Sequence, residues 1–418
     1  MRTPQSTLSA ADVKNYSQGL LQRHLRLPDY SSRVTASRVY AVLLYVAAVA
    51  TTIATACRRL RHAPCDQSIY DALDDTLPER VELQRRLNRT LAASVPRAFL
   101  QGKRSGKVAI DLTLLPYYGK PDASDNLVYK GQEKGSTHYH HAYATVYLVY
   151  KGRRFTLGLR TVRHDEPWED IIRSLLRQAR QLLPSIRLVL LDRGFYSVAV
   201  IRYLQRARYP FIMPLPCKGR KANDEQAAGG TRSFFSWRLS GWSHYTLETN
   251  KDRAKKAGQK DLRARVEIAV KVQRKLPPKR PGAKRPPQRV WVYACWGLSH
   301  RNANRVDQAY QSRWVEWVKQ TYRGRFGIET SYRQMNQGRG WTTSRSPSRR
   351  LLLVGLALLL RNVWALLHLT VLARRRRGGP RLRPWLLTLP DLLNWIRIVL
   401  EEELGVREDL EVDHPFVL

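Results

Sequence analysis

Three carboxylates carry the clearest chemical signal in the sequence. Asp111 lies in "KVAIDLTLLPYYG", which opens with period-2 alternation: Val108, Ile110 and Leu112 fall on one strand face, Ala109, Asp111 and Thr113 on the other. Asp192 ends "IRLVLLD" (186–192), a short, nearly all-apolar run that reads as a strand covered on both faces. Glu329 lies in a segment that reads as helical from 303 to 336, where Tyr322, Arg325, Glu329 and Asn336 are spaced three, four and seven apart. That spacing puts the four on one helical face. Two aspartates from neighbouring strands and a helical glutamate suit Mg²⁺ or Mn²⁺, hard cations that prefer oxygen ligands. Two such ions, about 3.5–4 Å apart, stabilise the attacking and leaving oxygens of an in-line phosphoryl displacement. Arg325 would then neutralise a phosphate, and Tyr322 would hydrogen-bond or stack on a flipped base. Singly, each acid has an ordinary reading: a strand-edge aspartate, a cap before Arg193-Gly194, a solvated helix residue. Their order on the right element types gives them joint weight.

The elements that must position these residues follow a recognisable order. After Asp111, "HAYATVYLVY" and "RFTLGLRTV" form a strand pair around Lys151-Gly152-Arg153. Residues 167–184 read as an amphipathic helix opened by Pro167, 186–192 as a strand, 197–208 as a helix and 209–216 as a strand. An antiparallel hairpin followed by parallel crossovers predicts an α/β, ribonuclease H-like mixed sheet with flanking helices. Sites in such sheets form at the carboxyl ends of strands. Behind Asp192, Gly194 is expected to permit a tight exit from the strand, with Phe195 and Tyr196 at the mouth of the site. Arg193 stands between a phosphate contact and an ion pair.

Around this core, residues 1–104 read as a helical N-terminal domain and 105–216 with 301–370 as the catalytic core. Residues 217–300 read as a basic β-rich insertion and 371–418 as a C-terminal helical tail. The face of "TLPERVELQRRLNRTL" with Arg80, Arg85, Arg86 and Arg89 suits either a DNA reader or a solvated helix. Between 251 and 289 there are 15 Lys+Arg against three acids, with a Pro-rich loop at 275–288. Such a loop lies on phosphate or stays disordered without it. Arg374–Arg377 reads as a solvated loop.

The whole chain has 418 residues and a formal net charge of +39, from 73 Lys+Arg against 34 Asp+Glu. Self-repulsion at that charge points to a polyanionic partner, nucleic acid first. Four scattered cysteines without a CxxC pair argue against a zinc knuckle and fit reduced thiols in a cytoplasmic protein. His138 and His140 share a strand face but lack a nearby third ligand, so they are read as rim histidines. The uncharged run 39–57 is near bilayer length yet rich in Ala and Thr, and is read as a buried soluble helix, with no membrane partner. "LLLVGLALLL" (351–360) is read as a core helix.

Together, "AIDLTLLPYYG", "LLDRGFYS" and "YRGRFGIETSYRQMNQ" resemble the DDE transposases of bacterial and archaeal insertion sequences, in the IS4-like superfamily with a Tyr–Arg–Glu–Lys signature. The resemblance covers about residues 105–365. By position, Asp111, Asp192 and Glu329 correspond to its catalytic, metal-binding triad, and Tyr322 and Arg325 to its DNA-contacting signature. The family's lysine falls on Asn336, which brings no charge, so Arg333 or Arg339 is expected to take its role. The resemblance implies two Mg²⁺ or Mn²⁺ ions, cleavage of double-stranded DNA at terminal repeats, strand transfer to a target, and a homodimer on DNA. A nuclease that cuts without joining, or a silent domesticated DNA-binding protein, would share part of this pattern.

Overall fold

β1 (Gly106–Pro116) is the strand around which the sheet assembles. The computed structural model describes residues 7–100, 106–119, 127–150, 153–222, 226–249, 262–273, 288–298, 308–374, 376 and 381–409; of 98–99, 308 and 326–331 it describes the backbone only. β1 pairs antiparallel with β3 (Tyr139–Tyr150), whose outer edge pairs with β2 (Val128–Lys130) and β4 (Arg153–Thr161). After α7 (Trp168–Leu182), β5 (Ile186–Leu191) lies parallel to β1 on its other side. After α8 (Val198–Arg206), β6 (Phe211–Pro214) lies parallel to β5. The order β4-β3-β1-β5-β6 is the ribonuclease H-like arrangement, a mixed sheet with flanking helices.

The segment 217–300 does not form a separate layer among the described residues. Its strands β7 (Gly241–Glu248), β8 (Arg263–Gln273) and β9 (Arg289–Trp296) extend the same sheet, because β9 pairs antiparallel with β6. Among the described residues the first of these strands begins only at Gly241. Gly230–Ser236 is a 3-10 turn, fixed where Phe234 packs between Trp237 and Tyr245 at 5.8 Å each. The Pro-rich loop 275–288 falls almost wholly outside the described residues.

Alternation then sorts the sheet's two faces. Val108 and Ile110 of β1, Val189 and Leu191 of β5 and Phe211 and Met213 of β6 join the large core with α7, α8 and the helical layer. Ala109, Tyr147, Leu188, Leu190, Ile212 and Tyr293 fall on the opposite face, under a single long helix, α9 (Gln308–Gln337), through Trp314, Val315, Val318 and Tyr322. Asp111 and Asp192 share parity with this second face.

The helical layer comprises α1 (Ala10–His24), α2 (Ala36–Val49), α3 (Ile53–Arg59), α4 (Asp66–Thr76), α5 (Arg80–Ala93), α6 (Arg97–Leu100), α10 (Pro347–Thr370) and α11 (Leu389–Leu404). The run 39–57 is not one helix. Ala50 turns left-handed (φ 51°), Thr52 caps α3, and the axis bends by 103°. α10 is long and apolar enough to cross a membrane, but 94% of its apolar window is buried inside the protein. Buried Asn362 on it bonds the backbone of Thr156, the Leu91 carbonyl and the Ser94 hydroxyl, tying α10 to β4 and α5. Residues 389–404 are not a free tail, since α11 packs on α1 and α2. Lys14 pairs with Glu403 at 2.6 Å, the Tyr45 hydroxyl donates to Glu401 at 2.8 Å, and Leu60 bridges to Val406.

Candidate active site

The strand register brings the two aspartates together. Ile110 stands opposite Leu191 in the parallel β1–β5 pair, so the next residues, Asp111 and Asp192, leave the two strands side by side. Neighbouring strands are about 4.8 Å apart, close enough for the two carboxylates to share one cation. That cation is Arg325. Its Nη2 lies 3.0 Å from Asp111 Oδ1 and its Nη1 3.3 Å from Asp192 Oδ1. Arg325 is 4% exposed and Asp111 7%, whereas half of the Asp192 side chain meets solvent. Burial works against the Arg325 charge. The carboxylates of Asp111 and Asp192 and the Tyr322 hydroxyl outweigh it, so the guanidinium is held more firmly than an ordinary arginine.

Asp192 occupies the N-cap position of the 3-10 turn Arg193–Phe195, but its side chain caps no backbone N–H. The alternative of a capping aspartate is therefore not the one realised. Gly194 has room for a Cβ, with nothing within 4 Å, so the turn does not require glycine there. Phe195 is buried edge-on against Trp168 at 5.2 Å and anchors the turn from the opposite core rather than standing at the mouth. Arg193 is exposed at the rim of the cleft.

Tyr322 is largely enclosed. It is 2% exposed; its hydroxyl donates to the Leu191 carbonyl at 3.2 Å and accepts from Arg325 Nη1 at 3.1 Å. Its ring tilts against Tyr293 at 5.1 Å, and burial raises the phenol's pKa. The hydroxyl props the guanidinium toward the aspartates, and the residue also lines the cleft that opens beside Asp192. α9 is about 45 Å long and outruns the sheet; in its last turns Met335 is buried while Asn336 and Arg333 face solvent. Arg339, beyond the helix, is drawn below the ordinary arginine pKa by burial and lies 5.5 Å from the Trp341 ring. Glu329 is one helical turn beyond Arg325 on α9, and its side chain lies outside the described residues. Among the described residues no three His, Cys, Asp or Glu side chains converge on a metal-sized site.

The insertion contributes residues the sequence reading missed. A cleft of about 350 Å³ opens beside Asp192 and Arg325, walled by Phe235, Trp291 and Tyr293. Period-2 alternation in "RVWVYACW" puts Trp291, Tyr293 and Cys295 on one face, a usable signal once β9 joins the core sheet. Thr145, the register partner of Asp111, exchanges a 2.7 Å hydrogen bond with the Tyr332 hydroxyl. That bond pins α9 to β3 one turn past Glu329. The histidines part company: His140 on β3 is fully buried with Nε2 3.0 Å from the Gln132 carbonyl, and His138, just before the strand, has an exposed side chain.

The fold is ribonuclease H-like, with the pair of bridged aspartates at the carboxyl ends of its central strands. A family model described as the transposase DDE domain matches residues 103–363, well over half of the chain. The chain belongs to that family: it is a DDE transposase, an enzyme that cleaves and joins DNA strands. Among solved structures it is similar to a piggyBac transposase seen by cryo-EM in a synaptic complex with hairpin DNA. The two share 10% sequence identity, with a TM-score of 0.52 over 97% of this chain and 82% of the other, a likeness of fold. No curated protein matches the sequence.

Proposed function

We propose that this transposase cuts double-stranded DNA at the terminal repeats of an insertion sequence and joins the ends to a target duplex, with Asp111, Asp192 and Glu329 as its catalytic, metal-holding carboxylates. The observation that carries the reading is the Asp111–Arg325–Asp192 bridge: two strand aspartates held together by one buried cation, open on the Asp192 side to a cleft. The donor set is all oxygen, which fits Mg²⁺ or Mn²⁺ rather than a softer metal. Two bound ions would supply charge stabilisation for the attacking and leaving oxygens. Arg325 balances the two aspartates from within the protein and, when they take up ions, is freed to face a phosphate oxygen in its fork geometry. Arg193 at the rim, Arg333 on the exposed face of α9 and Arg339 contact the DNA backbone, and Asn336 adds an uncharged contact.

The Tyr322-x2-Arg325-x3-Glu329 spacing supports an IS4-like assignment. On α5, Arg80 and Arg86 are tied into the fold by Thr161 and by the Leu25 and Arg26 carbonyls, which leaves exposed Arg85 and Arg89 to support an end-reading role for residues 1–104, with a homodimer holding two ends, in the cytoplasm on nucleoid DNA. Incubating the protein with Mg²⁺, a labelled repeat end and an unlabelled duplex separates the readings. Labelled strand covalently joined to the second duplex is the expected product. Hydrolysed ends alone would make the chain a nuclease, and intact DNA bound without cutting would make it a silent binding protein.

A further inference from the structure

A second cavity, of about 410 Å³, lies at the opposite end of the sheet, where β1 and β5 begin and β9 ends. Its lining includes Lys107, Arg187, Pro210, Leu298, Trp314 and Trp317. Leu188 at this cavity precedes Asp192 by four residues, roughly 13 Å along the strand. Trp317 precedes Arg325 by eight residues, about 12 Å along α9. The cavity is thus separate from the carboxylate cleft and joined to it by one helix.

Its chemistry is that of cations and flat rings. Between Gly106 and Lys107 the β1–β5 register shifts, and Arg187 is the residue left over. Such a bulge re-aims a side chain, and here Arg187 lines the same cavity as Lys107. Burial, and then Arg187 itself, depress the Lys107 ammonium, and no carboxylate offsets them. Among the described residues neither cation has an acidic partner. Trp314 is fixed at 8% exposure, while Trp317 stays 46% exposed, a large ring left open to solvent. Gly297, in the left-handed region (φ 69°), turns the chain at the rim against Pro210.

We propose that this cavity binds a nucleotide of a single DNA strand, its base stacked on Trp317 and its phosphate held between Lys107 and Arg187. Every base offers a face to an indole, and a pair of cations suits a phosphate. The volume is in the range of small-molecule sites. Choosing a DNA strand over a free nucleotide rests on the transposase reading; the nucleotide chemistry does not.

The test uses the full chain in EDTA, so that no metal-dependent step enters. A short oligothymidylate carrying 5-iodouracil is photo-crosslinked to the protein, and the adduct is mapped by mass spectrometry. The expected adduct is on Trp317, competed away by unlabelled strand but not by ATP. Trp317→Ala should weaken strand binding about tenfold, and the Lys107→Ala/Arg187→Ala double variant by a similar factor. Trp317→Phe should keep most of the affinity, and unchanged melting curves verify the fold of each variant. Adducts only elsewhere, with unchanged affinity in Trp317→Ala, overturn the proposal. Competition by ATP as strong as by the strand overturns the DNA source and assigns the cavity to free nucleotides. Strand binding as expected, with no cleavage in Mg²⁺, would count against the transposase chemistry and leave the cavity standing.

Discussion

The two ends of the sheet handle charge in opposite ways. At the carboxyl ends of β1 and β5, two aspartates are bridged by one buried arginine. At the amino ends of the same strands, Lys107 and Arg187 stand close enough to repel, with no acid beside them among the described residues. One end is partly offset from within, one guanidinium against two carboxylates; the other keeps a positive charge with no acid beside it among the described residues. Net charge alone conceals this, since +39 describes the whole surface without distinguishing compensated from uncompensated groups.

Substitutions at the two ends should therefore differ in kind and in sign. The largest effect is expected from Asp192→Asn: metal-dependent cleavage of a labelled DNA end should fall to background, while the melting curve stays near that of the native chain because the side chain is half exposed. Survival of cleavage in that variant would sink the proposed mechanism. Next, Arg325→Met strands two acids without their partner. The cost is about 2–4 kcal/mol in chemical denaturation, below that of a fully buried pair because solvent screens Asp192. Millimolar Mg²⁺ should raise the melting temperature of Arg325→Met more than that of the native chain; equal increments would mean that the arginine is not the charge partner. Tyr322→Phe removes a hydroxyl that both donates to Leu191 and accepts from Arg325, costing about 1–2 kcal/mol. Its effect should be non-additive with Arg325→Met, since both belong to one network.

The smallest effect carries the opposite sign. Lys107→Met removes a repelled, partly buried cation and should stabilise the fold by less than about 1 kcal/mol after solvent screening. The folded pKa of Lys107 is lowered, so at alkaline pH the unfolded state binds more protons than the native one. The penalty is complete at neutral pH. It is relieved as pH rises through the folded pKa toward the ordinary lysine value. The stability gap between Lys107→Met and the native chain should therefore narrow in that alkaline range, and a gap independent of pH would locate the effect in packing instead.

Much of this site was legible in the sequence. Alternation placed Asp111 on a strand face, and the apolar run placed Asp192 at a strand end. What periodicity could not supply was register. Only the pairing of Ile110 with Leu191 brings the two acids side by side. The shared face of Tyr322 and Arg325 was legible from their spacing, but not which way that face points. Helical spacing is silent on burial, so it did not reveal that Tyr322 is enclosed and props Arg325. Spacing is equally silent on what a helical face meets along its length: Asn336 faces solvent while Tyr322 and Arg325 are buried. The insertion was legible as β-rich and basic, yet its union with the core sheet rests on β6–β9 pairing across many residues, which no local pattern encodes.

The packing of α11 on α1 and α2 has a consequence for synthesis. Lys14, Tyr45 and Leu60 find their partners at Glu403, Glu401 and Val406. A nascent chain therefore cannot close its first helical layer until residues near 400 have left the ribosome. A product that stops short of them is flawed at its beginning as well as at its end.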